Sequence, residues 1–277
     1  MKQLLREMDF LRKPYWAARQ RLGLPPKSDL ELLHNLKRAA ERPAPQPAFH
    51  FPWGQFKCSN LGQVRAQYEE IFVQKEYQFS TEVAEPVIVD CGGNVGLSAI
   101  WFKLQYPASK LTVYEPDPEL AGYIETNLAA AKLNGFVLHR KAVWTKDGSI
   151  GFEHTGDDKG KITSNSTRMV ESIDLAAHLP ERTDLLKMDI EGAEYPVLNR
   201  LCETGAIKQV KNLVCEFHLF RGREQQLTDT FQHLMKSGME VSINWAAAGP
   251  WIGLAPTASP FEVIGRNQAF LEVYAWR

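Results

Sequence analysis

Read for its apolar positions, the chain changes rhythm near residue 87. From there, short aliphatic and β-branched runs alternate with stretches of helical period. VIVD is followed by residues 95–106, LTVYE by 118–133, LLKMD by 193–202 and LVCEF by 224–235. Strands that are apolar on both faces and alternate with helices predict a mostly parallel sheet covered by helices on each side. The runs MEVSI, FEVIG and FLEVYAW then come without long helices between them, so the sheet is expected to finish as an antiparallel hairpin at one edge.

Upstream, Leu4, Met8, Leu11 and Tyr15 stand at helical spacing, interrupted by Pro14 and stopped by Pro25 and Pro26. This basic segment suits a solvated helix packed on its own domain better than one lying on a membrane or a partner subunit. Ser28 to Glu31 has the form of a capping box ahead of Leu30, Leu33 and Leu36, so a second short helix is expected. Pro43, Pro45 and Pro47 then favour an extended connector. The organisation expected is a helical extension with a Pro-rich linker over residues 1–48 and one larger domain over 49–277.

Composition narrows the partners. With 32 Lys and Arg against 33 Asp and Glu in 277 residues, no global field draws in a polyanion, and nucleic acid is not the expected partner. Four scattered cysteines fit reduced thiols, and the absence of a secretion signal or an apolar span fits a cytoplasmic protein without a transmembrane segment. A homo-oligomer is compatible with these numbers.

The densest chemistry lies in VIVDCGGNVGLSAIWF. A buried strand delivers Asp90 at its carboxyl end, Gly92, Gly93 and Gly96 make the turn, and a helix follows, which is where open α/β sheets bind ligands. A dinucleotide fingerprint starting at Gly92 needs glycine at 94 and 97, where Asn94 and Leu97 stand, and no P-loop ending is present. An acidic strand end repels a diphosphate and welcomes a cationic amino-acid moiety. The next strand ends at Glu115, placed to accept hydrogen bonds from ribose hydroxyls, with Pro116 after it. Asp117 reads as a helix N-cap with Pro118 at the first helical position.

In LLKMDIEGAEYPVL, Lys187, Asp189 and Glu191 share one side of the strand by period-two alternation, and in NLVCEFHLF so do Glu216 and His218. If the two strands are neighbours, Lys187, Asp189, Glu216 and His218 converge at one mouth of the sheet, where they can shift one another's acidity.

DCGGNVGLSA, then YEPDP, ESIDL and LLKMDIEGAEYPVL, taken in this order, resemble the FkbM-type methyltransferases over about residues 72–220. The resemblance implies a Rossmann-like class I methyltransferase fold, with a seven-stranded sheet, an antiparallel last strand and S-adenosylmethionine as donor. It implies that Asp90, Gly92, Gly93, Asn94 and Gly96 hold the methionine part, Glu115 and Pro116 the ribose, and Ala142 and Val143 the adenine. Asp189 and Glu191 would lie beside the methyl, and Tyr68, Phe72 and Tyr77 would form a lid.

The acceptor expected is a hydroxyl on a small molecule or saccharide. An alcohol needs a base, so Asp189 or His218 is expected in that role, tuned by Lys187 or Glu216. Asp189, Glu191, Glu216 and His218 are also donors of the type Mg²⁺ or Mn²⁺ accepts, and a metal-assisted variant stays open. The aromatic tail, with Trp245, Trp251 and Phe261, fits core packing or an acceptor pocket. A nicotinamide-dependent oxidoreductase and a non-catalytic binding module are the rival classes.

Overall fold

The structure, a computed structural model, describes residues 27–41, 48–154, 160–163, 166–219, 222–244 and 269–277. The expected first helix, the three linker prolines, the run FEVIG, Trp245, Trp251 and Phe261 lie outside the described residues. Contacts divide the chain into two units, Met1–Glu76 and Tyr77–Arg277, later than the Pro-rich stretch at which the sequence places the linker.

In the first unit, α1 (Lys27–Ala40) buries Leu33, Leu36 and Ala39, one stripe of its surface. Ser28 already belongs to α1, so the expected capping box starts inside the helix. Its neighbour Asp29 accepts a 3.0 Å hydrogen bond from the Tyr68 hydroxyl. A hairpin of β1 (Ala48–Phe51) and β2 (Gly54–Lys57) precedes α2 (Leu61–Tyr68), which Asn60 caps by accepting from Gly62 N and Gln63 N. The helix runs on into a π-helical turn, Glu69–Gln74. Phe51, Trp53, Tyr68 and Phe72 stack with ring centroids 4.6–4.8 Å apart along the Phe51–Trp53, Trp53–Phe72 and Tyr68–Phe72 pairs, a packed aromatic core of the kind that anchors small units.

The second unit alternates strand and helix as expected, from β3 (Val87–Cys91), α3 (Leu97–Gln105), β4 (Lys110–Tyr114) and α4 (Pro118–Ala130) to β5 (Phe136–His139). Next comes a group absent from the sequence reading: β6 (Ala142–Trp144), β7 (Gly148–His154), β8 (Gly160–Ile162) and β9 (Met169–Asp174), which form a four-stranded sheet in the order β6-β9-β7-β8. After the short α5 (Leu175–His178), the alternation resumes with β10 (Leu185–Met188), α6 (Glu194–Thr204), β11 (Asn212–Leu219), α7 (Glu224–Lys236), β12 (Glu240–Asn244) and β13 (Ala269–Trp276).

The main sheet has seven strands in the order β12-β13-β11-β10-β3-β4-β5. β13 runs antiparallel to both its neighbours, while β5, β4, β3, β10 and β11 are mutually parallel. The antiparallel edge is therefore present, but the last strand is inserted between β11 and β12 instead of forming the rim. One layer of the core joins Val89, Leu186, Met188 and Phe217 of the strands to Val197, Leu198 and Leu201 of α6 and Leu234 of α7. Burying each such side chain contributes about 1.5–3 kcal/mol. Because β3, β4, β10 and β11 all point the same way, their carboxyl ends share one edge, and the charged strand ends gather there.

Candidate active site

The turn after β3 is fixed by packing. Gly92 has φ +87°, and a Cβ there would stand 1.8 Å from the Asp189 carbonyl oxygen, so the strand-end loops of β3 and β10 touch through a position only glycine can fill. A Cβ on Gly93 would meet Val113 at 2.4 Å. These glycines let the loop lie against its neighbours, and Gly96 directly precedes α3.

Asp90 is fully buried. Its carboxylate accepts from the Ser98 hydroxyl at 2.6 Å and pairs with the Lys187 ammonium at 3.2 Å. Lys187 stands in register with Asp90 on the adjacent strand and also donates to the Gly92 carbonyl at 2.6 Å. Burial alone would lower the Lys187 ammonium, but Asp90 and Asp189 outweigh it and hold the group above its ordinary value. Asp90 thus sits beneath the loop with its charge already met, instead of reaching out to a cationic ligand. Lys187 is drawn to Asp90 and away from the histidine it was expected to tune. Tyr77 stands over Lys187, with 5.8 Å from the ammonium to the ring centroid, and stacks on Phe102. Tyr68 belongs to the first unit, where its side chain is committed to Asp29 and the aromatic stack.

A cleft of about 570 Å³, its open mouth included, lies at the strand ends. Gly92, Asn94, Glu115 and Pro116 line it on one side, Ala142 and Val143 on another, and Asp189 and Glu191 close it. Sequence reasoning missed Tyr114, Lys141, Ile190 and the wall that the small sheet supplies with Phe152, Gly160 and Ile162. Glu115 is buried and accepts from Asn94 N and Asp117 N, each at 2.9 Å, which ties the end of β4 to the glycine loop. Burial pushes its carboxyl up to about 8 against the opposing pull of those two amides. Asp117 caps α4 by accepting from Glu119 N at 2.8 Å, and it pairs with Arg168 at 3.2 Å.

Beside this cleft, His218 is buried among carboxylates. Its Nδ1 lies 3.0 Å from Glu194 Oε1 and its Nε2 3.1 Å from Glu191 Oε2, with Glu216 at 3.8 Å and Asp189 at 4.0 Å. Glu194, itself fully buried, also accepts from Ile190 N and Gly192 N. Burial opposes the charged imidazole, but the hydrogen bonds and charges of Glu191 and Glu194 prevail and hold it well above its ordinary value. Asp189, in turn, is raised by burial against the pull of Lys187 and His218. Three of the four groups expected to converge do so, with Lys187 the exception. The residue that organises them, Glu194, carried a visible signal as the last acid of K-x-D-x-E-G-x-E but was given no role.

Asp189, Glu194 and His218 offer ligand atoms within 4.8 Å of one another, a spacing open to a cation. The imidazolium already occupies that place between the acids and neutralises them.

Residues 90–238 match the family described as Methyltransferase FkbM domain, more than half of the chain. The chain belongs to the FkbM methyltransferase family. This FkbM-family protein is 27% identical over 163 residues to "Methyltransferase 1" of Beauveria bassiana, covering 48% of the chain and 66% of that relative. It is 27% identical over 198 residues to "Methyltransferase sdnD" of Sordaria araneosa, covering 56% and 76%. The match therefore spans just under two thirds of the first relative. A solved structure described as methyltransferase FkbM from Methylobacillus flagellatus matches at a TM-score of 0.46 and 12% identity, over 95% of this chain and 60% of that one. Membership makes the protein a methyltransferase and supports S-adenosylmethionine as the donor. Among the described residues, no helix is long and apolar enough to cross a membrane.

Proposed function

We propose that the cleft at the ends of β3, β4 and β10 holds S-adenosylmethionine and that the protein methylates a hydroxyl of a small acceptor, on a natural product or a sugar. One observation carries the reading: Glu115 is buried at the end of β4, bonded to the Asn94 amide of the glycine loop, and lines the same cleft as Ala142, Val143 and Asp189. That is the set a nucleoside joined to an amino acid requires. When bound, the donor supplies a methyl carbon already activated by a sulfonium.

The protein's own work is placement and proton transfer. Glu115 accepts from the ribose hydroxyls, Ala142 and Val143 cover the adenine, and the Gly92–Asn94 turn, held from beneath by Asp90 and Lys187, receives the amino-acid part. Alignment of the acceptor supplies much of the acceleration. His218 is a poor candidate for the base, because both ring nitrogens already lie within about 3 Å of a carboxylate and the ring is held charged. Proton removal then falls to a carboxylate that faces the cleft, Asp189 or Glu191. No metal is needed in this scheme, so activity that survives exhaustive chelation fits it.

Calorimetric titration with S-adenosylhomocysteine and with NAD tests the donor assignment. Saturable binding of the first, weakened at least tenfold in Glu115→Ala, supports it. Binding of NAD alone would favour the nicotinamide reading, and binding of neither would remove the donor site.

A further inference from the structure

The donor cleft has a neighbour. A second cleft, of about 1160 Å³ with its open mouth included, shares Glu191 and Ile162 with the first. Its other walls bring flat apolar surface from Trp144, Tyr195 and Pro196, and polar groups from Asn199, Arg223 and Gln226. Methyl transfer needs two openings that meet at the reacting carbon. These two meet at Glu191, the ionisable side chain common to both linings.

Glu191 is held in that position at a cost. Its φ is +55°, a left-handed backbone that a residue with a side chain enters unfavourably, and such conformations persist where the surroundings impose them. Here the imposition is visible: Glu191 Oε2 lies 3.1 Å from His218 Nε2, and the next residue, Gly192, donates its amide to Glu194. Glu194 therefore fixes both the loop and the imidazole that grips Glu191.

The walls define what the carboxylate would meet. Trp144 is half-buried, so one aromatic face is partly available to a flat ring. Asn199 Oδ1 is bonded to His233 Nδ1 at 2.9 Å, which leaves the amide nitrogen as the donor for the cleft. Arg223 is exposed and begins α7 without a side-chain cap, so the positive end of that helix adds to the guanidinium. A planar guanidinium matches a carboxylate better than it matches a hydroxyl.

We propose that the second cleft is the acceptor site, that Glu191 takes the proton of the acceptor hydroxyl, and that the acceptor is a phenolic or enolic compound carrying a carboxylate set on Arg223. The assignment rests on the reading of the first cleft as the donor site. A carboxylate already bonded to an imidazolium is a weak acceptor for the proton of an ordinary alcohol, which restricts the reaction to hydroxyls that ionise easily. In the step, the acceptor O–H bond breaks and its proton passes to Glu191. The oxygen lone pair forms the new bond to the methyl carbon as the carbon–sulfur bond breaks, and that bond's electrons neutralise the sulfonium. Glu191 then returns the proton to solvent.

The test uses the whole chain loaded with S-adenosylhomocysteine and three probes: 4-hydroxybenzoate, its neutral analogue 4-methylphenol, and glucose. Titration should show 4-hydroxybenzoate binding at least tenfold more tightly than 4-methylphenol, with glucose weaker still. Arg223→Gln should erase that preference while S-adenosylhomocysteine still binds normally, which also reports an intact fold. With S-adenosylmethionine and 4-hydroxybenzoate, Glu191→Gln should keep the acceptor KM and lower kcat by at least 100-fold. Equal binding of the charged and neutral phenols, no saturable binding of 4-hydroxybenzoate, or near-normal turnover by Glu191→Gln would each overturn the acceptor assignment while the donor reading stands. Failure of S-adenosylhomocysteine itself to bind would remove the donor reading and, with it, this one.

Discussion

Replacing His218 by leucine should cost the second unit a large fraction of its stability. Glu194 is fully buried and faces His218 Nδ1 at 3.0 Å. Removing the imidazolium leaves that carboxylate with two backbone amides and no counter-charge, and breaking a buried pair in this way typically costs about 3–5 kcal/mol. A unit the size of Tyr77–Arg277 shifts its midpoint by roughly 2–4 °C per kcal/mol, so Tm should fall by on the order of 10 °C. The pH dependence is specific. The folded-state value of His218 is held well above the unfolded one, so the stabilisation is complete below the ordinary imidazole range and is lost as pH rises through the folded value. The gap between wild type and His218→Leu should therefore narrow in alkali. In a Glu194→Gln background the same replacement should cost less, because no orphaned charge remains at that position. Urea unfolding at pH 6, 7.5 and 9 measures all of this. A loss below about 1 kcal/mol, or one that does not change with pH, would show that His218 is not the charged centre of the cluster.

Other consequences are separable. Gly92→Ala should abolish donor binding and destabilise the fold, since its methyl would collide with the Asp189 carbonyl 1.8 Å away; calorimetry and thermal melting together check this. With the Glu115 carboxyl pushed up to about 8 in the free protein, hydroxyl donors favour its ionised form, so donor affinity should rise by roughly tenfold per pH unit up to that value and then level off. Glu115→Gln should flatten that profile. Lys103→Met should lower stability by about 2–4 kcal/mol without changing KM, because it strands the Pro107 and Ser109 carbonyls that the buried ammonium serves at 2.8 and 2.9 Å. Asp117→Ala should cost about 1–2 kcal/mol by removing the cap of α4.

How much of this was legible depended on how far apart the interacting residues lie in the chain. The elements around the donor cleft were readable because each is declared locally: VIVD and LLKMD are apolar on both faces, and Asp117 caps its helix from the adjacent position, as the 2.8 Å bond to Glu119 N bears out. The small sheet was not readable, because β6 and β8 span only three residues each and offer too few apolar positions to show a period. Its wall of Phe152, Gly160 and Ile162 went unseen with it. The charge pairing was hidden for a different reason. Alternation along one strand puts Lys187 with Asp189, but the side chain that meets Lys187 is set by which strand lies next door. Once β10 is placed beside β3, the register aligns Lys187 with Asp90, and a buried carboxylate and a buried ammonium in that position have to pair, because neither can be left alone in the interior. Sheet order therefore decides that Asp90 supports the loop from beneath, and it leaves the electrostatics of the opening to Glu115, Asp189 and Glu191, the carboxylates that line it.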